Sequence, residues 1–434
     1  MSLFGALNTA VSGLSAQSAA FSNIGDNVAN SQTIGFKRTD TSFKDYLTTS
    51  SSTVNDSGSV ATAPSYLNDK QGTIVQSDLP LGTAITGSGF FQVSKATGEV
   101  NGITTFNPQT QYTRAGDFSL NKDGYIVNSE GDYLNGWKAD STGAIDRTST
   151  MPIQVSQAAY SPVATSTVSL SANLPATPNN SAISSQVQVY DALGTPHTVQ
   201  LSWTKSSGAD NTWTVSLNAP DAKSPAIGTA DVVFGSTSGT AAPEGTIGTI
   251  TPTSGALTGS SYAANTNASL GFNVDFGSGP QTLSLNMGTF GQSNGLTQYA
   301  GTEYSLRSLT QNGVPPGSFS GIEIKSSGDI VANYDNTQSR VIARVPVSTF
   351  AAPDELQRQD GQTFTATIAS GAAQTKDAGT SGAGTLATNS VESSNVDIAQ
   401  EFTKLISAQR AYSANSKIVT TADDMLQQTL DMKR

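Results

Sequence analysis

One histidine and no cysteine limit the side-chain chemistry open to this 434-residue chain. His197 stands in GTPHTV, a turn-like setting, and no G-x-S-x-G elbow accompanies it, so a Ser–His–Asp nucleophile has no context. Without cysteine there is no thiolate nucleophile, no Cys-based zinc site and no disulfide. A zinc site made from one histidine and carboxylates departs from the ordinary ligand sets. No phosphate-cradling glycine motif opens a helix; GSGFFQ at 87–92 carries two such glycines and reads as a turn entering a strand. The nearest approach to a metal motif is SLNKDGYIVNSE at 119–130. There Asn121, Asp123, Gly124, Ile126 and Glu130 fall on the EF-hand pattern, but Ser119 replaces its first carboxylate. Alternating Leu120, Tyr125 and Val127 make this a β-hairpin instead. The expectation is therefore a protein with no catalytic residues, no cofactor and no metal.

Composition narrows the partners. The chain carries net charge −11 with only 13% charged residues, too few cations to neutralise many phosphates, so nucleic acid is excluded as a partner. No run reaches the ~18 apolar residues of a membrane helix, so no membrane insertion is expected. The first basic side chain is Lys37, and polar residues interrupt the apolar positions before it. This is not a cleavable signal peptide.

The elements that must position any function lie at the two ends. Phe4, Leu7, Val11, Leu14, Phe21 and Val28 follow a seven-residue period, weakening at Ser18 and Gly25. Ile398, Leu405, Tyr412, Val419 and Leu426 repeat that period, with Phe402 and Leu430 on neighbouring positions. Two seam-bearing helices follow, paired parallel or antiparallel. Gly5, Gly13 and Gly25 weaken the first by about 1 kcal/mol each, so it needs a partner surface. Ser394 or Asn395 is the expected N-cap of the second, with Asp397 adding charge to its first turn. In DNVANSQTIGFKR, at 26–38, Asn30 and Gly35 break the first helix and Phe36 anchors its exit.

Between the helices, alternating runs such as FFQVS (90–94), SQVQVYDALGTPHTVQLSW (185–203) and RVIARVPV (340–347) read as strands and hairpins. The fold class expected is multi-domain: a helical coiled-coil terminal domain plus two mainly-β domains inserted in it. The terminal domain takes residues 1–70 and 373–434. An inner discontinuous β domain takes 71–144 and 298–372, and an outer β insert, richer in Gly, Ser and Thr, takes 145–297. Residues 48–64 and 371–390 read as flexible linkers.

With these motifs in view, the chain resembles the axial flagellar proteins of bacteria, and within them the flagellar hook protein family. Asn30, Thr33, Gly35, Phe36 and Lys37 match the family's N-terminal motif. Ser394, Asn395, Val396 and Asp397 open its C-terminal motif, continued by Glu401, Gln409, Arg410, Tyr412, Asn415, Met425 and Leu426. GTAITGSGFFQV (82–93), YTRAGDFSLNKDGYIVNSEGDYLNGW (112–137) and residues 328–364 also fit, and the large insert with VYDALGTPHTV favours hook over distal rod or hook-associated protein. The resemblance implies a subunit exported through the flagellum's own type III channel without a cleaved signal peptide. It implies self-polymerisation into a curved extracellular tube, a universal joint, with the terminal helices in a coiled-coil inner layer. The partners it implies are further copies of the chain, the distal rod protein, the hook cap, the hook–filament junction protein and the export apparatus.

Overall fold

The computed structural model describes residues 3–50, 55–140, 142–178, 182–209, 211–237 and 239–432. It is mostly β, with one long helix near each end: α1 (Leu3–Ala29) and α2 (Ile398–Asp431). No helix among the described residues is long and apolar enough to cross a membrane. The chain divides into two compact units, one of residues 1–157, 320–333 and 339–434, the other of residues 158–319 and 334–338.

The second unit is two sheets around one apolar core. Residues 167–175 lie in the middle of one sheet; the other runs in chain order from 182–190 to 247–255. Burial alternates along both Thr167–Pro175 and Ala182–Tyr190, the period-two pattern of strands with one face inward. Trp203, Trp213, Leu285 and Phe290 are among the side chains fully enclosed between them. Each such burial stabilises the unit by about 1.5–3 kcal/mol. The HTVQ hairpin forms as the alternation predicts, with Val189 opposite His197 and a turn in which Asp191 Oδ1 accepts the Leu193 and Thr195 amides. His197 stacks on Phe276 at 4.0 Å and serves as a packed residue of this sandwich.

The first unit holds the helices and a mixed-order sheet. Its central path runs Ser339–Arg344, Asp132–Lys138, Phe91–Val100, Gln111–Thr113, Thr363–Thr365 and Gln357–Arg358. The EF-hand-like stretch is the expected hairpin: Ser119 pairs with Val127 and Leu120 with Ile126, while Asn121 Oδ1 accepts the Asp123 and Tyr125 amides.

Both stretches expected as linkers are ordered differently. Residues 48–64 fall largely within a ribbon of two antiparallel strands, β1 (Thr39–Ser50) and β2 (Asn55–Tyr66). This ribbon leans on α1, where the Val60 amide donates to Ser12 Oγ and Asn8 Nδ2 donates to the Gly58 carbonyl. Residues 371–390 supply strands Gln374–Lys376 and Thr385–Thr388, paired with Val347–Thr349 and Thr83–Thr86. A Gly/Ala/Thr run shows no periodicity of its own. Its backbone groups are satisfied by partners far away in sequence, and Leu386 is buried there.

Candidate assembly surface

The two helices pack antiparallel. Asn27 near the end of α1 donates to Glu401 near the start of α2, at 3.0 Å. Phe21 meets Tyr412 edge to face, at 6.2 Å between ring centres. Further along, a Cβ on Gly13 would lie 2.7 Å from Asn415 Nδ2, so glycine lets the helices approach there.

The wholly buried apolar side chains on the two helices are mostly small: Ala10, Ala16, Ala20 and Ile24 on α1, Ala408 and Ala422 on α2. Of the seven-residue seam read from the sequence, Phe21 and Tyr412 meet across the pair, while other members stay partly or largely uncovered. Leu7, Leu14, Phe21, Val28, Leu405, Val419 and Leu426 are half-buried. Val11, Ile398, Phe402 and Tyr412 are exposed, by 43–51%. Ile406, Ile418 and Met425 are exposed with them. Phe4 and Leu430 lie outside the described side chains. A groove of about 500 Å³ opens between α1, β1 and α2, lined by Ala20, Ile24, Phe43, Ala408 and Ala411 among others.

At its base the helix pair is fastened by a buried polar knot. α1 ends as its sequence predicts: Asn30 Nδ2 donates to the Asp26 carbonyl, Thr33 Oγ1 donates to Asn30 Oδ1, and the Phe36 amide returns to the Thr33 carbonyl. Gly35 then takes φ +71°, and a Cβ there would sit 2.4 Å from the Ala115 nitrogen, so both its backbone and its contact demand glycine. Its amide donates to the Glu392 carbonyl. Phe36 is buried, with the Arg358 guanidinium 4.4 Å over its ring.

Lys37 is enclosed rather than solvated. Its Nζ donates to Glu392 Oε1 and to the Lys70 carbonyl, both at 2.6 Å. The same carboxylate accepts the Gly72 amide at 2.8 Å and Arg114 Nη1 at 3.0 Å. Arg114 also donates to the carbonyls of Ile85 and Gly87. Burial pushes the Lys37 ammonium below its usual range; Glu392 opposes that shift and Arg114 adds to it. Burial likewise pushes Arg114 down, against the pull of Glu392. One carboxylate thus holds two cations, and carbonyl oxygens take up further donors of both.

Asn395 and Asn27 complete the knot. Asn395 Oδ1 accepts the Arg38 amide at 2.7 Å, and its Nδ2 donates to the carbonyls of Leu67 and Lys70. Asn27 exchanges bonds with the Thr39 backbone, its Oδ1 accepting the amide and its Nδ2 donating to the carbonyl. Glu401, fully buried, also accepts Lys404 Nζ at 2.9 Å and lies 3.8 Å from Arg38. The cap of α2 is corrected: Asp397 Oδ1 accepts the Ala399 and Gln400 amides and is itself the N-cap. Ser394 Oγ accepts the Val396 amide one turn earlier, and Asn395 serves the knot instead. Glu392, Arg114 and Asn27 were not singled out in the sequence. Their signal is a lone charge or amide inside a small, apolar run, as in YTRAG and SVESS, in a chain poor in charge.

This architecture has relatives. Residues 7–37 match the family described as flagella basal body rod protein, and 84–186 the flagellar hook protein FlgE/F/G D1 domain. Residues 161–314 match the flagellar basal body protein FlaE D2 domain, and 387–432 the flagellar basal body rod FlgEFG protein C-terminal family. The flagellar hook protein FlgE of Brucella abortus is 33% identical over the whole of both chains. The chain belongs to the flagellar hook protein family. Other family members extend the likeness: FlgE of Salmonella typhimurium is 29% identical, covering 98% of this chain and 99% of that one. FlgE of Escherichia coli is 28% identical over 99% and 100%. The crystal structure of Helicobacter pylori hook protein FlgE2 aligns at TM-score 0.48 with 14% identity, over 72% of this chain and 98% of that one. In this family member the N-terminal match closes on Lys37 and the C-terminal match includes Glu392, so the knot joins the two ends that the family models describe.

Proposed function

We propose that this chain is the structural subunit of the flagellar hook, polymerising into a curved, flexible tube outside the cell that passes torque from rod to filament. Its role is mechanical, not catalytic. The observation that carries this reading is the division of labour on the helix pair. The wholly buried side chains of the helices are mostly small, and large apolar ones such as Phe402, Ile406 and Ile418 are left exposed. Further copies of the chain would cover them, as the seam of a coiled-coil inner layer. Head-to-tail contacts of this kind build open helical assemblies.

In this reading the terminal helices form the inner layer of the tube and the β domains its outer layers. The chain leaves the cell through the flagellar export apparatus. It meets the distal rod protein at one end of the tube and the hook cap or hook–filament junction protein at the other. Electron microscopy of the purified protein tests the reading: tubes of a single subunit type are expected. Leu14→Asp or Leu405→Asp should abolish them while both β units stay folded. Normal tubes from either variant would overturn the seam assignment.

A further inference from the structure

We propose that Ile368 is a preformed knob that docks into an apolar groove on the first unit of a neighbouring copy, an inference that rests on the polymer reading above. Ile368 is fully exposed. A lone exposed isoleucine needs no explanation, but the loop carrying this one is locked. The Thr367 amide donates to Ser370 Oγ at 2.9 Å, the Ser370 amide donates to Thr367 Oγ1 at 3.0 Å, and Thr367 Oγ1 donates to the Glu355 carbonyl at 2.7 Å. Ser370 is wholly buried beneath the tip. Holding the loop in place removes the ordering cost that a flexible apolar tip would incur on binding.

The matching surface is a groove of about 370 Å³ lined by Ile103, Phe106, Met151, Pro152, Ile153 and Ile342 among others. Ile103 and Met151 on its rim are exposed by 66% and 45%. Knob and groove belong to the same sheet but to different ends of it. The groove borders Asp132–Lys138 and Ser339–Arg344; the knob follows Thr363–Thr365, three strand steps from Asp132–Lys138. At ~4.8 Å per step that is roughly 14 Å, and Ile368, fully exposed, is not seated in the groove of its own chain. A knob and a groove at separate places on one unit give a heterologous contact, the kind that builds open helical assemblies when the rotation does not close.

The charge pattern favours a second copy as the occupant. Copies with net charge −11 repel one another. The knob segment, residues 366–373, carries no charge, and the groove lining includes a single ionisable cation, Lys138, and no carboxylate.

The test uses the full chain, whose lack of cysteine leaves introduced thiols unambiguous. Ile368→Asp should leave the monomer's melting curve unchanged and raise the critical concentration for tube formation about tenfold or more. Tubes of Ile368→Cys/Met151→Cys, oxidised and run without reductant, should give a ladder of dimers, trimers and higher species that neither single variant gives. Normal tubes without a ladder, or disulfide dimers from Ile368→Cys alone, would overturn the contact and leave the polymer reading standing. A ladder from Leu193→Cys/Met151→Cys in place of the Ile368 pair would assign the groove to another knob and also overturn it. Failure of the unmodified chain to form tubes would overturn both.

Discussion

The helix junction and the sandwich solve one problem, holding distant segments together, by opposite means. In the sandwich, Trp203, Trp213 and their neighbours exclude water from a core in which alternate side chains of two sheets interleave. At the junction, Glu392 draws Lys37 and Arg114 out of water and repays their desolvation with directed bonds. Apolar packing tolerates swaps of similar volume. An ionic knot fixes one register, because a slip of either end leaves a buried charge unpaired. A subunit whose two ends must meet correctly gains definition from the second design, and a module that only has to be compact does well with the first.

The largest test of that contrast is Glu392→Ala. It strands two buried cations and should cost about 3–5 kcal/mol, read by chemical denaturation. Amide exchange should quicken at residues 33–39 and 70–72 while the sandwich keeps its protection. Trp203→Ala should cost a similar 3–5 kcal/mol by opening a cavity, but with exchange quickened only in residues 158–319. If both variants loosened the same amides, the two regions would not be separate devices.

Asn395→Ala is the next step down. It orphans the Arg38 amide and takes one donor each from the Leu67 and Lys70 carbonyls, for about 1–3 kcal/mol. Asn395→Asp tests direction: a carboxylate keeps the bond to the Arg38 amide but has no donor for the two carbonyls, so it should rescue only part of the loss.

The smallest effect separates a paired buried carboxylate from a poorly paired one. Asp132 is as enclosed as Glu392, but its carboxylate accepts an amide, from Asn128 at 3.4 Å. Burial holds its pKa above the usual value of 3.8, with Asn128 and Lys95 opposing. The folded state therefore binds the proton at a pH where the unfolded state has released it. Stability from this group falls as pH rises from 3.8 through the raised value, and stays low above it. Asp132→Asn should flatten that segment of the stability–pH curve and raise the melting temperature slightly at neutral pH. A wild-type curve without the fall would remove the contrast.

Local features were legible because they are written in neighbours. The helices follow from their apolar periods, the hairpin at 185–203 from alternation around DALG, and the end of α1 from Asn30, Thr33 and Gly35. The cap of α2 was misplaced by two or three residues, since Ser394, Asn395 and Asp397 are all good caps and only their long-range partners choose among them. The linkers were misread for a related reason: pairing across hundreds of residues leaves no periodic trace in a small-residue run.

By itself, then, the sequence determined the two helices, the alternating strands with their turns, and the kinship of both ends, because spacing, propensity and turn chemistry act over a few residues. Only the tertiary structure decided where Lys37 goes. Its partner Glu392 lies 355 positions away, and the two meet because folding removes both from water at the same place. The same holds for the helix faces. The periods were visible in sequence, but which stripe closes on the partner helix and which stays outward depended on how closely Gly13 and the alanines let the helices approach.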